Sequence, residues 1–287
     1  MSLLKRYDRM CKKLAAVCGA SVILTFHVCN ALAQSAEEIA KELANPNTAL
    51  ATLTLKNQFR TFEGDLPNAD DQDSFIMLFQ PALPFVREDG SKIIFRPAIP
   101  FSKDQPLFNP GLADFDEESG LGDIVFDLAY APVVEPGTIV AYGIISSLPT
   151  GEDELTSDRW TLGPEFLYGK ITEKYVAAIF PNHQWDVGGS GDKDISLTTI
   201  QPIYTYLPGG GWSVGTGPSI TYDWESEEWT VPVQFNFGKT ITIGARPWKL
   251  SAEINYYADK PDAFGPEWMV GFNIGPVVRN GLADWFK

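Results

Sequence analysis

From residue 49 onward the sequence keeps returning to an alternation with a period of two. The clearest copy is Thr230-Val231-Pro232-Val233-Gln234-Phe235-Asn236-Phe237-Gly238, with Val231, Val233, Phe235 and Phe237 on one face and Gln234 and Asn236 on the other. Successive side chains of a strand point to opposite sides of the sheet, so each such segment has one apolar and one polar face. A soluble sheet buries the apolar face in a core, whereas a membrane barrel turns it to lipid and encloses the polar one.

Residues 1–33 have the three parts of a secretory signal in order. Lys5, Arg6, Arg9, Lys12 and Lys13 form a basic start, Leu14 to Val28 is mostly apolar, and Ala31-Leu32-Ala33 supplies the cleavage pattern. The apolar run is broken by Gly19 and His27, which argues against a membrane anchor. All three cysteines (Cys11, Cys18, Cys29) lie in this leader, so the exported part has neither a thiol nucleophile nor a thiolate metal site. Removing 33 of the 287 residues leaves 254, enough for one large β domain. The whole chain carries a formal net charge of −15, and losing five basic residues and one acid, Asp8, takes the remainder to −19. Such a chain is not built for nucleic acid, whose phosphates require a basic surface. No apolar stretch after residue 33 approaches the length of a membrane helix, so a membrane-spanning form has to be a barrel.

Ser35-Ala36-Glu37-Glu38 is a capping box, and Ile39, Ala40 and Leu43 follow at helical spacing before Asn45-Pro46; a short helix is expected within 34–48. The alternation then predicts twelve strands, at 50–62, 74–86, 92–101, 121–131, 138–148, 160–172, 175–187, 195–207, 212–224, 229–243, 248–258 and 267–278. Their connections alternate between long or acidic and short, as extracellular loops and periplasmic turns do in outer-membrane barrels. The odd-numbered connections, counted over 63–73, 102–119, 149–159, 188–194, 225–228 and 259–267 with Glu267 at the edge of the last strand, hold 22 acidic residues against four basic ones (Lys103, Arg159, Lys193, Lys260). Trp160, Trp212, Trp229, Trp248 and Trp268 sit at strand starts and Trp185 and Trp224 near strand ends, where indoles would form girdles at the membrane interfaces. The expected fold over 49–287 is an all-β, transmembrane, antiparallel up-and-down barrel.

Several stretches also resemble a family of Gram-negative outer-membrane barrels described as transporters or by association with a meta-pathway of phenol degradation. They are residues 35–46, Gly120-Leu121-Gly122-Asp123, Leu148-Pro149-Thr150, Asn182-His183-Gln184-Trp185, Gln201-Pro202, Thr221-Tyr222-Asp223-Trp224-Glu225 and Gly265-Pro266-Glu267-Trp268. The resemblance spans nearly all of the exported chain and implies a barrel with a transport role for a small organic, even aromatic, solute. The ending Asp284-Trp285-Phe286-Lys287 departs from the usual final aromatic residue of such barrels.

Applied strand by strand, the alternation predicts a polar lumen of Gln80, Arg96, Asp123, Asp127, Glu165, Gln234, Asn236, Glu253, Asn255 and Asn273, joined by Gln201 and Asp223. Arg96 is expected to bond to Asp123 or Asp127. Lys239 breaks the apolar face of its strand and is expected to snorkel at an interface. His183, the only histidine after the leader, is expected at the rim or in the lumen rather than as a catalyst, since no activated serine pattern accompanies it. No catalytic residue, cofactor or metal ligand set is expected. The groups of the lumen either line a path for the solute or fill the interior through an Arg–carboxylate network. In that second case the barrel would be structural, and its acidic loops Asp70-Asp71-Gln72-Asp73 and Asp116-Glu117-Glu118 would meet divalent cations and lipopolysaccharide. Outer-membrane lipids are partners in both readings.

Overall fold

The computed structural model describes residues 35–286, with side chains to residue 283; the signal-peptide expectation lies outside the described residues. Fourteen strand segments follow one short helix, α1 (Ala36–Ala44). They are β1 (Ala51–Glu63), β2 (Asp73–Val86), β3 (Lys92–Asn109), β4 (Asp114–Leu121), β5 (Ile124–Ala131), β6 (Thr138–Leu148) and β7 (Arg159–Ile171). The second half comprises β8 (Tyr175–Gly189), β9 (Ser196–Gly209), β10 (Trp212–Thr216), β11 (Ile220–Asp223), β12 (Glu228–Ile243), β13 (Arg246–Asp259) and β14 (Gly265–Val278). Segments β4 and β5 are two parts of one stave beside β3. Segments β10 and β11 likewise share one stave between β9 and β12. Twelve antiparallel staves result, and β1 pairs with β14 from Ala51↔Val278 to Glu63↔Gly265, closing the barrel.

The register fixes which side each residue faces. Phe79, Tyr142, Phe166, Tyr204, Phe235 and Phe272 are exposed on the outer surface, Phe235 to 54%. Residues of the alternate phase, among them Arg96, Glu165 and Asn255, are partly or fully buried on the inside. An apolar outside and a polar inside is the transmembrane arrangement, the fold that the alternation predicts. The indoles form two girdles. Trp160, Trp185, Trp224, Trp229 and Trp268 lie at the end carrying the long loops, and Trp212 and Trp248 at the end carrying the short turns.

Two elements differ from the sequence expectation. Residues 102–119, expected as an acidic loop, form an extended hairpin in which β3 continues to Asn109 and pairs with β4 (Leu107↔Asp116, Phe108↔Phe115). The Phe108 and Phe115 rings meet edge to face at 5.2 Å, and Phe115 also contacts Phe264, which stacks on the buried Phe62. Aromatic contact beyond the hairpin holds strands that the run of acids disguises as a loop. The ninth stave, expected to be continuous over 212–224, is interrupted at Gly217-Pro218-Ser219, where proline has no N–H for the ladder.

Helix α1 lies across the short-turn mouth of the barrel. Ser35 caps it, its Oγ accepting from the Glu38 N–H at 3.2 Å while a Glu38 Oε accepts from the Ser35 N–H at 2.8 Å. Ile39 and Ala40 are buried, and Gly211, at φ +83°, lets the turn pass so close that a Cβ there would stand 3.4 Å from Ala36. The chain then runs inward. Asn47 donates to the Val140 carbonyl (2.8 Å), and Lys92 donates to the Asn47 carbonyl (2.6 Å). Ala44 packs on an inward-facing apolar cluster that includes Ile94, Ala129, Ile139, Ala141, Leu167 and Val176.

The assignment of faces has a direct test in the middle of β12. Phe235→Lys would place a charge in lipid and should cost about 2–4 kcal/mol, whereas the adjacent Asn236→Lys should cost well under half of that. Urea unfolding of both variants in bilayers measures the difference.

Candidate functional site: the barrel lumen

The inward side chains at mid-height form a polar girdle. On one wall Arg96 (β3) faces Asp127 (β5) in register, and its Nε donates to both carboxylate oxygens at 2.8 and 3.0 Å. The pair is largely shielded from solvent, which strengthens the interaction and makes either partner costly to remove. The Arg96 guanidinium also stands 5.4 Å above the Phe180 ring, and its Nη1 lies 3.5 Å from the Pro46 carbonyl. Arg96 therefore ties the wall to the chain segment that follows α1.

Further round, Glu165 (β7) sits between Gly143 on one neighbouring strand and Asn182 on the other. It is only 4% exposed, and neither of its carboxylate oxygens has a hydrogen-bond partner among the described residues. Asp127 repels the charge of Glu165 and Arg96 attracts it. On the opposite wall Glu253 (β13) accepts from Gln234 at 2.9 Å and from Asn273 at 3.1 Å. Gln234 in turn accepts from the Gly217 N–H at 2.7 Å, while Gln201 donates to the Gly217 carbonyl at 2.9 Å. Two inward amides thus staple the break in the ninth stave. Asn236 reaches Gln234 at 3.5 Å, and the buried Asn255 donates to the Met269 sulfur at 3.7 Å. Gln80 stands on the inner face of β2, opposite Thr54.

Three positions need separate treatment. Asp123 does not join Arg96 in the girdle; it occupies the gap between β4 and β5 at the long-loop rim. There it accepts from the N–H groups of Thr150, Gly151 and Ser157 and from the Ser157 hydroxyl. The Gly122-Asp123 break turns its side chain out of the strand phase and makes it the organiser of the 149–158 loop. His183 faces outward, because Asn182 and Gln184 on either side of it are buried on the inner face. Its Nδ1 lies 2.7 Å from Thr198 Oγ1, and its ring lies 4.2 Å from that of Trp185 within the outer aromatic girdle. Asp223, at the end of β11, accepts from the Glu225 N–H and so caps the following loop.

Residues absent from the sequence-based list complete the site. Lys56 (β1) lies in the field of Glu253 and Arg96, and Lys249 (β13) donates to the Leu43 carbonyl of α1 at 3.4 Å. The even-numbered polar run Thr54, Lys56, Gln58, Arg60 marks the inner face of β1 in the sequence and could have identified Lys56. A crevice of about 570 Å³ lies between Glu37, Glu38 and Lys41 of the helix and Ile171, Leu207 and Trp212 of the rim.

No family model matches the sequence. No curated protein matches it either. Among solved structures it is similar to the COG4313 outer membrane channel from Pseudomonas putida F1, with 14% identity and a TM-score of 0.61 over 80% of this chain and 95% of that one. The NanC porin aligns at 10% identity and a TM-score of 0.49 over 79% of this chain and 99% of that one. The first similarity shows a shared fold.

The role of Asp123 yields a pH dependence. Burial raises its carboxyl, but hydrogen bonds from Ser157, Thr156 and Gly151 outweigh this and hold its pKa below the ordinary aspartate value. Its contribution to stability is therefore full above the ordinary carboxylate pKa and is lost as the pH falls through the lower folded value. Asp123→Ala should remove that dependence and cost about 1 kcal/mol at neutral pH at this partly solvated rim. Urea titrations of both proteins across the acidic range measure it.

Proposed function

We propose that the protein is an outer-membrane channel that passes a small organic solute, with aromatic compounds as the class suggested by the family resemblance. The observation that carries this reading is the closed wall with an apolar outside and a hydrogen-bonded, mixed-charge girdle inside. The leader would export the chain, and the short-turn end would face the periplasm, as in other outer-membrane barrels. The acidic loops would then form the external vestibule, raising local cation concentration and repelling anions in a salt-dependent way. The fold shared with an outer membrane channel agrees with this reading.

A filled, structural barrel is the second reading, favoured by the contacts that Pro46 and Asn47 make inside the wall. Its acidic loops would act at the surface, through divalent cations and lipopolysaccharide. Solute flux separates the two. In planar bilayers the refolded protein should conduct, with cation preference that falls as salt is raised. Arg96→Ala should widen the conductance and increase cation preference while lowering stability by about 3 kcal/mol, because Asp127 is left unpaired. Absence of conductance and of liposome swelling in both proteins would establish the filled barrel instead.

A further inference from the structure

Lys239 interrupts the outward apolar face of β12, four residues before its end at Ile243. It is paired in register with Trp212, so both side chains lie on the outer surface at the short-turn end. Its ammonium stands 4.2 Å from the Trp212 ring centroid and donates to the Gly210 carbonyl at 2.7 Å. The Trp212 ring lies 4.8 Å from that of Phe237, so one aromatic wall leads from the lysine toward the middle of the membrane. The ammonium has three donors, and the Gly210 carbonyl is the one hydrogen-bond partner it has among the described residues.

Beside this wall the outer surface is indented. Phe237, Ala252 and Phe272 are cross-strand neighbours on three adjacent strands, and the central one has no side chain beyond a methyl group. The two rings and the short alanine leave an outward-facing groove of about 370 Å³, lined mainly by apolar surface and beginning at Lys239 and Leu250. On β13 the groove is lined from Leu250, the register partner of Lys239, to Ala252.

We propose that this groove binds one anionic phospholipid of the leaflet at the short-turn end, with its phosphate on Lys239 and an acyl chain over Ala252 between Phe237 and Phe272. Charge complementarity sets the headgroup, because the two remaining ammonium donors meet phosphate oxygens where the girdle of indoles places the interface. The position of Ala252, on the midplane side of the Lys239–Leu250 level, sets the orientation of the chain. In the orientation proposed above, lipopolysaccharide would occupy the opposite leaflet, at the long-loop end, away from Lys239. The lipid would brace the wall across β12, β13 and β14 from outside, independently of what the lumen carries.

Native mass spectrometry of the detergent-solubilised barrel, titrated with phosphatidylglycerol and with phosphatidylcholine of the same acyl chains, tests the site. One phosphatidylglycerol should be retained per barrel, with phosphatidylcholine weaker by about fivefold, the value of one interfacial lysine. Lys239→Gln should erase that preference while leaving chain binding, and Ala252→Phe should weaken both lipids by filling the groove. Heat-modifiable migration establishes that each variant is folded, and Ala252→Leu serves if the larger ring blocks assembly. Equal binding of the two lipids to the native protein, or unchanged binding in both the Lys239 and the Ala252 variants, would reduce the lipid to nonspecific annular contact and overturn the proposal.

Discussion

Every other feature of this molecule depends on one requirement: in hydrocarbon, each strand must hand its N–H and C=O groups to a neighbour. A row of strands cannot satisfy this at its ends, and the pairing of β1 with β14 removes both ends together. Closure then dictates the faces. With the outside committed to lipid, the polar residue at every second position has nowhere to go but inward. The interior is therefore a consequence of the wall. Arg96, Asp127, Glu165 and Glu253 occupy it because the strand phase leaves them there, and they must be neutralised or hydrogen-bonded locally.

The girdle meets that demand unevenly. Arg96–Asp127 and the Gln234–Glu253–Asn273 set bond within themselves, while Glu165 and Asn182 keep acceptor atoms without partners among the described residues. The same unevenness appears lengthwise. Above the girdle the walls are polar, and below it the inward side chains of β5, β6 and β7 turn apolar and pack against Ala44.

Much of this was legible in the sequence because a period of two is a strictly local signal. Each strand of the wall could be phased from its own residues, and Arg96 and Asp127 fell on the inner face without knowledge of the rest. The exceptions arise where local and distant effects compete. Asp123 follows the strand pattern, yet the chain breaks beside it, and three amides of a loop more than twenty-five residues away capture its carboxylate. His183 is polar and sits on the apolar face, a place it holds through Thr198 and Trp185 in the interfacial girdle. Asp114, Asp116 and Glu117 read as loop, but the Phe108–Phe115 contact makes them strand. The position of α1 had no local signal at all. Its capping box predicts a helix, and only the lysines of β3 and β13 reveal where that helix rests.

That resting place has a consequence for the order in which the chain becomes structured. The carbonyls of Leu43, Pro46 and Asn47 are held by Lys249, Arg96 and Lys92, and Asn47 itself holds on to Val140. These partners come from β3, β6 and β13, which share one enclosure only after β1 has met β14. The earliest of the described residues in the chain are therefore among the last to find their partners. Their docking converts the topological event of closure into a local, hydrogen-bonded state at the mouth.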